Sequence, residues 1–275
     1  MTEAGAGGPE AGRLTPRYVS GAPRHDVTFT FATLVADERR YQRLVDSLDA
    51  NGFHAGNTEL IALDNRTANN FDGFTYLRRA VLEARGRYIV LTHDDVELMT
   101  DGYDALVRVL DEMTALDETW AVAGNAGMTW TERHVLHLID PNVDHRVEHP
   151  VAVQSLDENF MIVRRDRLVL HALDLEGFHL YGADLCLQAE MQGVGRSYVV
   201  PFLLRHHSRG RMDAGYYEVR SRFSRKYARY HRHRRVRTTV DTVFLGGPSV
   251  PQRAELLSEA VARQVRRVAR RLSLT

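Results

Sequence analysis

The alternation of apolar and polar positions predicts a strand over 27–35, where β-branched and aromatic residues dominate. Tyr41, Leu44, Val45 and Leu48 then recur at helical spacing, and Asn51-Gly52 closes that helix. A second strand is predicted over 59–63, followed by a polar loop and a helix from 74 to 84 that Arg85-Gly86 ends. Residues 88–92 are a short apolar run that reads as a third, fully buried strand. Strand, helix, strand, helix, strand at these spacings predicts an α/β fold with a parallel, doubly wound sheet.

Beyond it, 101–113 reads as an amphipathic helix, and Trp120 to Gly127 as a short apolar strand ending in glycines. Residues 130–150 carry four histidines in no zinc-like spacing and read as a loop or hairpin. Residues 151–165 are two apolar runs around an acidic turn at Asp157. A helix starting near Gly182 is packed by Leu185, Leu187, Ala189 and Met191 and stops at Gly193, and 197–204 reads as one more strand. The stretch 216–235 alternates aromatic and basic residues and is predicted to be helical. From 252 to 273, Leu257, Val261, Val265, Val268 and Leu272 form one stripe with arginines elsewhere, a basic amphipathic helix. Its basic face is either simply solvated or offers a surface to anionic lipid or to a second copy in a homodimer. Three parts follow: a disordered lead-in over 1–24, a core over 25–215 and a basic helical extension over 216–275 packed on it.

Composition narrows the class. The formal net charge is zero, so nothing points to nucleic acid. A single cysteine, Cys186, allows no internal disulfide and fits a reducing compartment. No apolar run approaches the ~20 residues that span a bilayer, and the N-terminal stretch lacks the apolar core of a secretory signal. A cytoplasmic protein is expected, with the basic C-terminal helix as a means of peripheral contact with a membrane.

The candidate chemistry lies at the strand ends. Asp37, Asp64 and Asp95 each stand just beyond the end of one of the first three strands. Parallel strands share that edge, so the three carboxylates could converge on one ligand, although each alone could be a helix cap. His93-Asp94-Asp95-Val96-Glu97 packs imidazole and carboxylate groups at one strand end, suited to a divalent cation or to an acidic turn. His206-His207 end a later strand, and Asp184 falls in the first turn of a helix, where it either complements the helix dipole or acts as a base. A cation at Asp95 would neutralise a departing diphosphate, and Asp184 could take a proton from an incoming hydroxyl. These parts together describe displacement of a nucleoside diphosphate from a sugar.

The chain resembles the family-2-type glycosyltransferases of the GT-A fold, in particular the prokaryotic glycosyltransferase-like group whose metal motif reads His-x-Asp-Val. The resemblance covers roughly 25–230. It rests on Asp37-Glu38, Leu63-Asp64-Asn65, Ala84 to Val96 with His93-Asp94-Asp95, Ala123 to Gly127, Leu156-Asp157 to Arg165, Phe178 to Ala189 with Asp184, and His206 to Gly210, in that order. It implies a mostly parallel, Rossmann-like central sheet flanked by helices. Mn2+ or Mg2+ would be held by Asp95 with His93, and by His206 with His207 close behind. Thr33, Asp37, Asp64 and Asp94 would bind the donor nucleotide, expected to be UDP-linked. Asp157, His179 and Tyr181 would line the sugar and acceptor pocket, and Asp184 would be the base of an inverting displacement. The acceptor would be a hydroxyl on a saccharide, a lipid-linked group or a natural product. The rival readings are a metal-dependent phosphoester hydrolase and an idle nucleotide-sugar-binding domain.

Overall fold

The computed structural model describes residue 21 and residues 25–141, 143–208, 212–231 and 234–246. The lead-in expected over 1–24, apart from residue 21, and the basic helix expected over 252–273 lie outside the described residues.

Seven strands form the central sheet: β1 (Val27–Val35), β2 (Thr58–Asp64), β3 (Gly86–His93), β4 (Val122–Gly124), β5 (Val151–Val153), β6 (Phe160–Arg164) and β7 (Ser197–Val199). Their order across the sheet is β5-β7-β4-β6-β3-β1-β2. The strands β2, β1, β3, β4 and β7 run the same way, while β6 and β5 run against them. Val35 pairs with Asp64 and Leu34 with His93, so the first three strands do finish at one edge. Helices α1 (Glu38–Ala50), α2 (Tyr76–Glu83), α3 (Tyr103–Leu116), α4 (Tyr181–Met191) and α5 (Ala214–Tyr227) flank the sheet.

Successive strand side chains point to opposite faces, and both faces are dry. Phe29, Phe31, Tyr88, Val90, Phe160 and Ile162 join the apolar cluster that buries Leu44 and Leu48 of α1 with Leu106 and Leu110 of α3. Ile89, Leu91, Met161 and Val163 face the other way, onto Leu77 of α2, Leu185 and Leu187 of α4, and Phe223 and Tyr227 of α5. Each such side chain contributes about 1.5–3 kcal/mol by leaving water. This mostly parallel, two-sided sheet agrees with the Rossmann-like arrangement that the resemblance implies.

Three expectations need correction. The 197–204 segment is not one strand: it ends at Val199, turns through Pro201, and resumes as a separate strand, Leu204–His206. Proline cannot donate to a ladder, so the break falls there. The helix expected over 216–235 stops at Tyr227, and Arg234–Arg237 instead pairs with Thr242–Leu245 as a hairpin. In α4, Leu185, Leu187 and Ala189 are buried, but Met191 is exposed. No helix among the described residues is long and apolar enough to cross a membrane.

Candidate functional site

β3 delivers His93 at its last position, and the chain turns through Asp94-Asp95 into a short strand, Val96–Leu98. That strand pairs antiparallel with Leu204–His206, placing His206 opposite Val96. The backbone N–H of His207 donates to the Asp95 carbonyl at 3.1 Å and locks the register. Two segments far apart in the chain are thereby brought side by side. His93, Asp95 and His206 converge, their ligand atoms all within 4.8 Å of one another. His206 Nε2 stands 3.4 Å from Asp95 Oδ1, and His93 Nδ1 stands 3.9 Å from the same oxygen.

The 3.4 Å contact is a long hydrogen bond, and both imidazoles face the same carboxylate oxygen, an arrangement from which the three groups could turn to one ion. Burial pulls the His93 imidazole towards its neutral, ligating form, and the neighbouring His206 adds to this. Burial alone would raise the Asp95 carboxyl, but the His206 bond and the charges of His206 and His93 outweigh it and hold Asp95 far below the usual range. His206 is likewise opposed by burial, and its bond to Asp95 keeps it above the ordinary imidazole value. Two imidazoles and one ionised carboxylate form a donor set that suits a transition-metal dication better than Mg2+, which prefers an all-oxygen shell.

His93 is oriented from behind. Tyr181 Oη lies 2.8 Å from His93 Nε2, which leaves Nδ1 on the side of Asp95. Tyr181 is 2% exposed, and its ring lies where any side chain at Gly73 would have to go, since a Cβ there would stand 2.2 Å from the ring. The sequence reading gave Tyr181 to the sugar pocket. The structure buries it behind His93, off the cavity wall.

Beside the cluster opens a cavity of about 560 Å³, lined by His93, His206, Asp140, Asp157, Glu158 and His179 among others. Asp157 accepts from the Thr239 hydroxyl and from both the backbone and side-chain nitrogens of Asn159. His179 lies on the cavity wall with Nε2 3.5 Å from Asp213 Oδ1.

The remaining expected site residues are placed as follows. Asp64 is exposed at the end of β2, where two bonds from the Arg66 guanidinium and one from its backbone N–H hold its carboxyl down at about 2. Asp37 is exposed too and caps α1 through the N–H groups of Arg39 and Arg40. Asp94 differs: it is buried, and its Oδ2 takes the N–H groups of Ala36 and Asp37 at 2.8 Å each. It therefore pins the end of β1 to the end of β3 and presents little carboxylate to a nucleotide. Thr33 is 1% exposed within β1 and so cannot touch one either. His207 points away from the cluster and bonds Glu97 at 2.9 Å, so it is not one of the converging ligands.

Asp184 is the main correction. Its side chain is fully buried, its carboxylate accepts from the Tyr227 hydroxyl and the Ala172 N–H, and His171 Nδ1 lies 3.3 Å away. A carboxylate so surrounded faces the interior between α4 and α5 and is not among the groups on the cavity wall. The reading missed Glu158, which lines the cavity. Its only sequence signal was its place beside Asp157 in the acidic turn.

No family model matches the chain. The chain belongs to one family with the protein called ATP synthase subunits region ORF 6 of Fuscovulum blasticum, 38% identical over 240 residues that make up 84% of this chain and 96% of that protein. That name states no activity. Among solved structures the chain aligns with GalNAc-T7 with UDP, GalNAc and Mn2+ (TM-score 0.47, 11% identity, 66% of this chain and 44% of that one). It also aligns with the mannosyltransferase PcManGT from Pyrobaculum calidifontis in complex with GDP-Man and Mn2+ (TM-score 0.43, 14% identity, 74% and 61%). A third is S. aureus TarS (TM-score 0.43, 12% identity, 72% and 39%). The chain spans less than two thirds of the length of each of these three solved chains.

Proposed function

We propose that the protein is a metal-dependent glycosyltransferase that moves a sugar from a nucleoside-diphosphate sugar to an acceptor hydroxyl. The observation that carries this reading is the convergence of His93, Asp95 and His206 at the end of β3, beside a cavity large enough for a sugar. It is supported by the sequence motifs and by the strand ends, which bring Asp64 and Asp37 to the same edge of the sheet.

In this reading His93, Asp95 and His206 hold a divalent cation, which when bound supplies positive charge against a departing diphosphate. Tyr181 keeps the His93 ring turned so that Nδ1 faces the site. Asp64, paired with Arg66, sits at the strand edge where a ribose or base would lie. Asp157 and His179, on the cavity wall, orient the sugar and the acceptor. The donor is read as UDP-linked and the transfer as inverting, as the resemblance implies. Among the described residues one group of three metal-ligating side chains is found, which does not favour a two-metal phosphoester hydrolase.

Thermal unfolding with Mn2+ and a panel of nucleoside diphosphates and nucleotide sugars tests the proposal. A metal-dependent rise with one base, absent in Asp95→Ala, is the expected result. No rise with any nucleotide would sink it.

A further inference from the structure

With Asp184 sealed inside, the cavity needs another group to receive the acceptor's proton. The carboxyls on its wall are Asp140, Asp157 and Glu158. Asp157 is already committed. Three donors from Thr239 and Asn159 surround it, and although burial raises its carboxyl, the charge of His206 and these bonds bring it below the ordinary value. Such a carboxylate holds a proton poorly.

Glu158 is built differently. It precedes β6 and lies across the first turn of α4. A Cβ placed on Gly182 would stand 3.4 Å from Glu158 Cγ and 2.5 Å from the Leu156 carbonyl oxygen. The Leu156 carbonyl is what excludes a side chain at 182, and the glycine lets the first turn of α4 pass at ordinary contact distance from Glu158. The residue before α4 is also in an uncommon conformation. Leu180 is held at φ 62°, a left-handed conformation that a branched residue adopts only when its surroundings impose it. The N–H groups of Gly182 and Leu180 face the Glu158 carboxyl. Burial, with the charge of Asp157, outweighs them and pushes that carboxyl up to about 8. A base works best when its proton affinity lies near the working pH.

We propose that Glu158 is the catalytic residue that takes the proton from the attacking hydroxyl, an inference that rests on the glycosyltransferase reading above. The acceptor oxygen forms a bond to the anomeric carbon, and its proton passes to a Glu158 carboxylate oxygen. The bond from that carbon to the diphosphate oxygen breaks, and its electron pair leaves with the nucleoside diphosphate. Water in place of the acceptor gives hydrolysis of the donor by the same proton transfer.

The test compares the full chain with Glu158→Gln and Glu158→Asp. Two readouts are needed: the thermal shift with Mn2+ plus UDP or GDP, and release of nucleoside diphosphate from UDP- and GDP-sugars in water across roughly pH 5 to 9. Glu158→Gln should keep the wild-type thermal shift while release falls by about 100-fold or more and loses its rise with pH. Glu158→Asp should keep measurable release with a displaced pH profile. Release by Glu158→Gln within about threefold of wild type, with the same pH profile, overturns the assignment. So does loss of the Mn2+–nucleotide shift in both variants, which would make Glu158 a binding or structural group. If the wild-type protein shows neither shift nor release with any nucleotide, the glycosyltransferase reading falls first and this inference with it.

Discussion

Two buried aspartates of this chain, each beside histidine, have opposite fates. Asp95 is 6% exposed and Asp184 0% exposed, so burial hardly distinguishes them. What differs is how their oxygens are used. Asp184 is closed in by a hydroxyl, a backbone N–H and an imidazole, and Tyr227, one of those partners, takes a second bond from Gln188. Asp95 meets two imidazoles, at 3.4 and 3.9 Å, and both of those histidines line the cavity. A carboxylate whose partners are complete is structure. One that faces two imidazoles on a cavity wall is a candidate site.

The contrast predicts a double dissociation. Asp95→Ala should abolish Mn2+-dependent nucleotide binding by calorimetry while changing stability little. Asp184→Ala should strand the Tyr227 hydroxyl and the Ala172 N–H in the interior, costing about 3 kcal/mol in denaturant unfolding, with Mn2+ affinity of the folded fraction retained. If Asp184→Ala folded normally and lost only turnover, the comparison drawn here would be reversed.

A smaller effect is expected at the support. Tyr181→Phe removes the bond to His93 Nε2 and keeps the ring, so Mn2+ affinity should fall about 10-fold with an almost unchanged unfolding midpoint.

Glu158 gives a pH-dependent prediction with a definite sign. Its folded value of about 8 lies above the ordinary 4.5, so between these the folded protein keeps a proton that the unfolded chain releases. The group therefore costs stability as pH rises through that window. Glu158→Gln should accordingly raise the melting temperature relative to wild type more at pH 8 than at pH 5, by roughly 2–4 °C, the shift that about 1 kcal/mol produces in a domain of this size. An equal difference at both pH values would contradict it.

The least effect is expected at His207. Because it points to Glu97 on the surface, His207→Ala should leave Mn2+ affinity unchanged and cost no more than about 0.5 kcal/mol. A large loss of metal binding would restore it as a ligand.

The parallel strands and their common edge were legible because β-branched runs and their spacing carry the signal locally. Asp95 was legible for the same reason, standing at the end of the most apolar run, and His206 from its place at a later strand end. Asp184 was misread because its partners His171 and Tyr227 lie 13 and 43 residues away in sequence, on segments whose contact with α4 no local pattern announces. Glu158 stood in view beside Asp157, but its importance depends on a glycine at 182 and a left-handed Leu180, and these act only through space. The hairpin after α5 was hidden by composition. Arginines suggested a continuing helix, whereas Val236 and Val243 pair across the hairpin as buried partners and Phe244 and Leu245 follow into the interior.

The pairing of Val96–Leu98 with Leu204–His206 has a further consequence, for assembly. The neighbouring His207–Glu97 bond closes a span of 110 residues, so His206 arrives only after most of the described chain has been laid down. A nascent or truncated chain ending before residue 204 would carry His93 and Asp95 without their partner. Tight uptake of a cation would then mark a chain that has joined these two segments. The ion would act as a clasp on the finished fold, and a chelator would loosen the late-formed ladder first and leave β1, β2 and β3 intact.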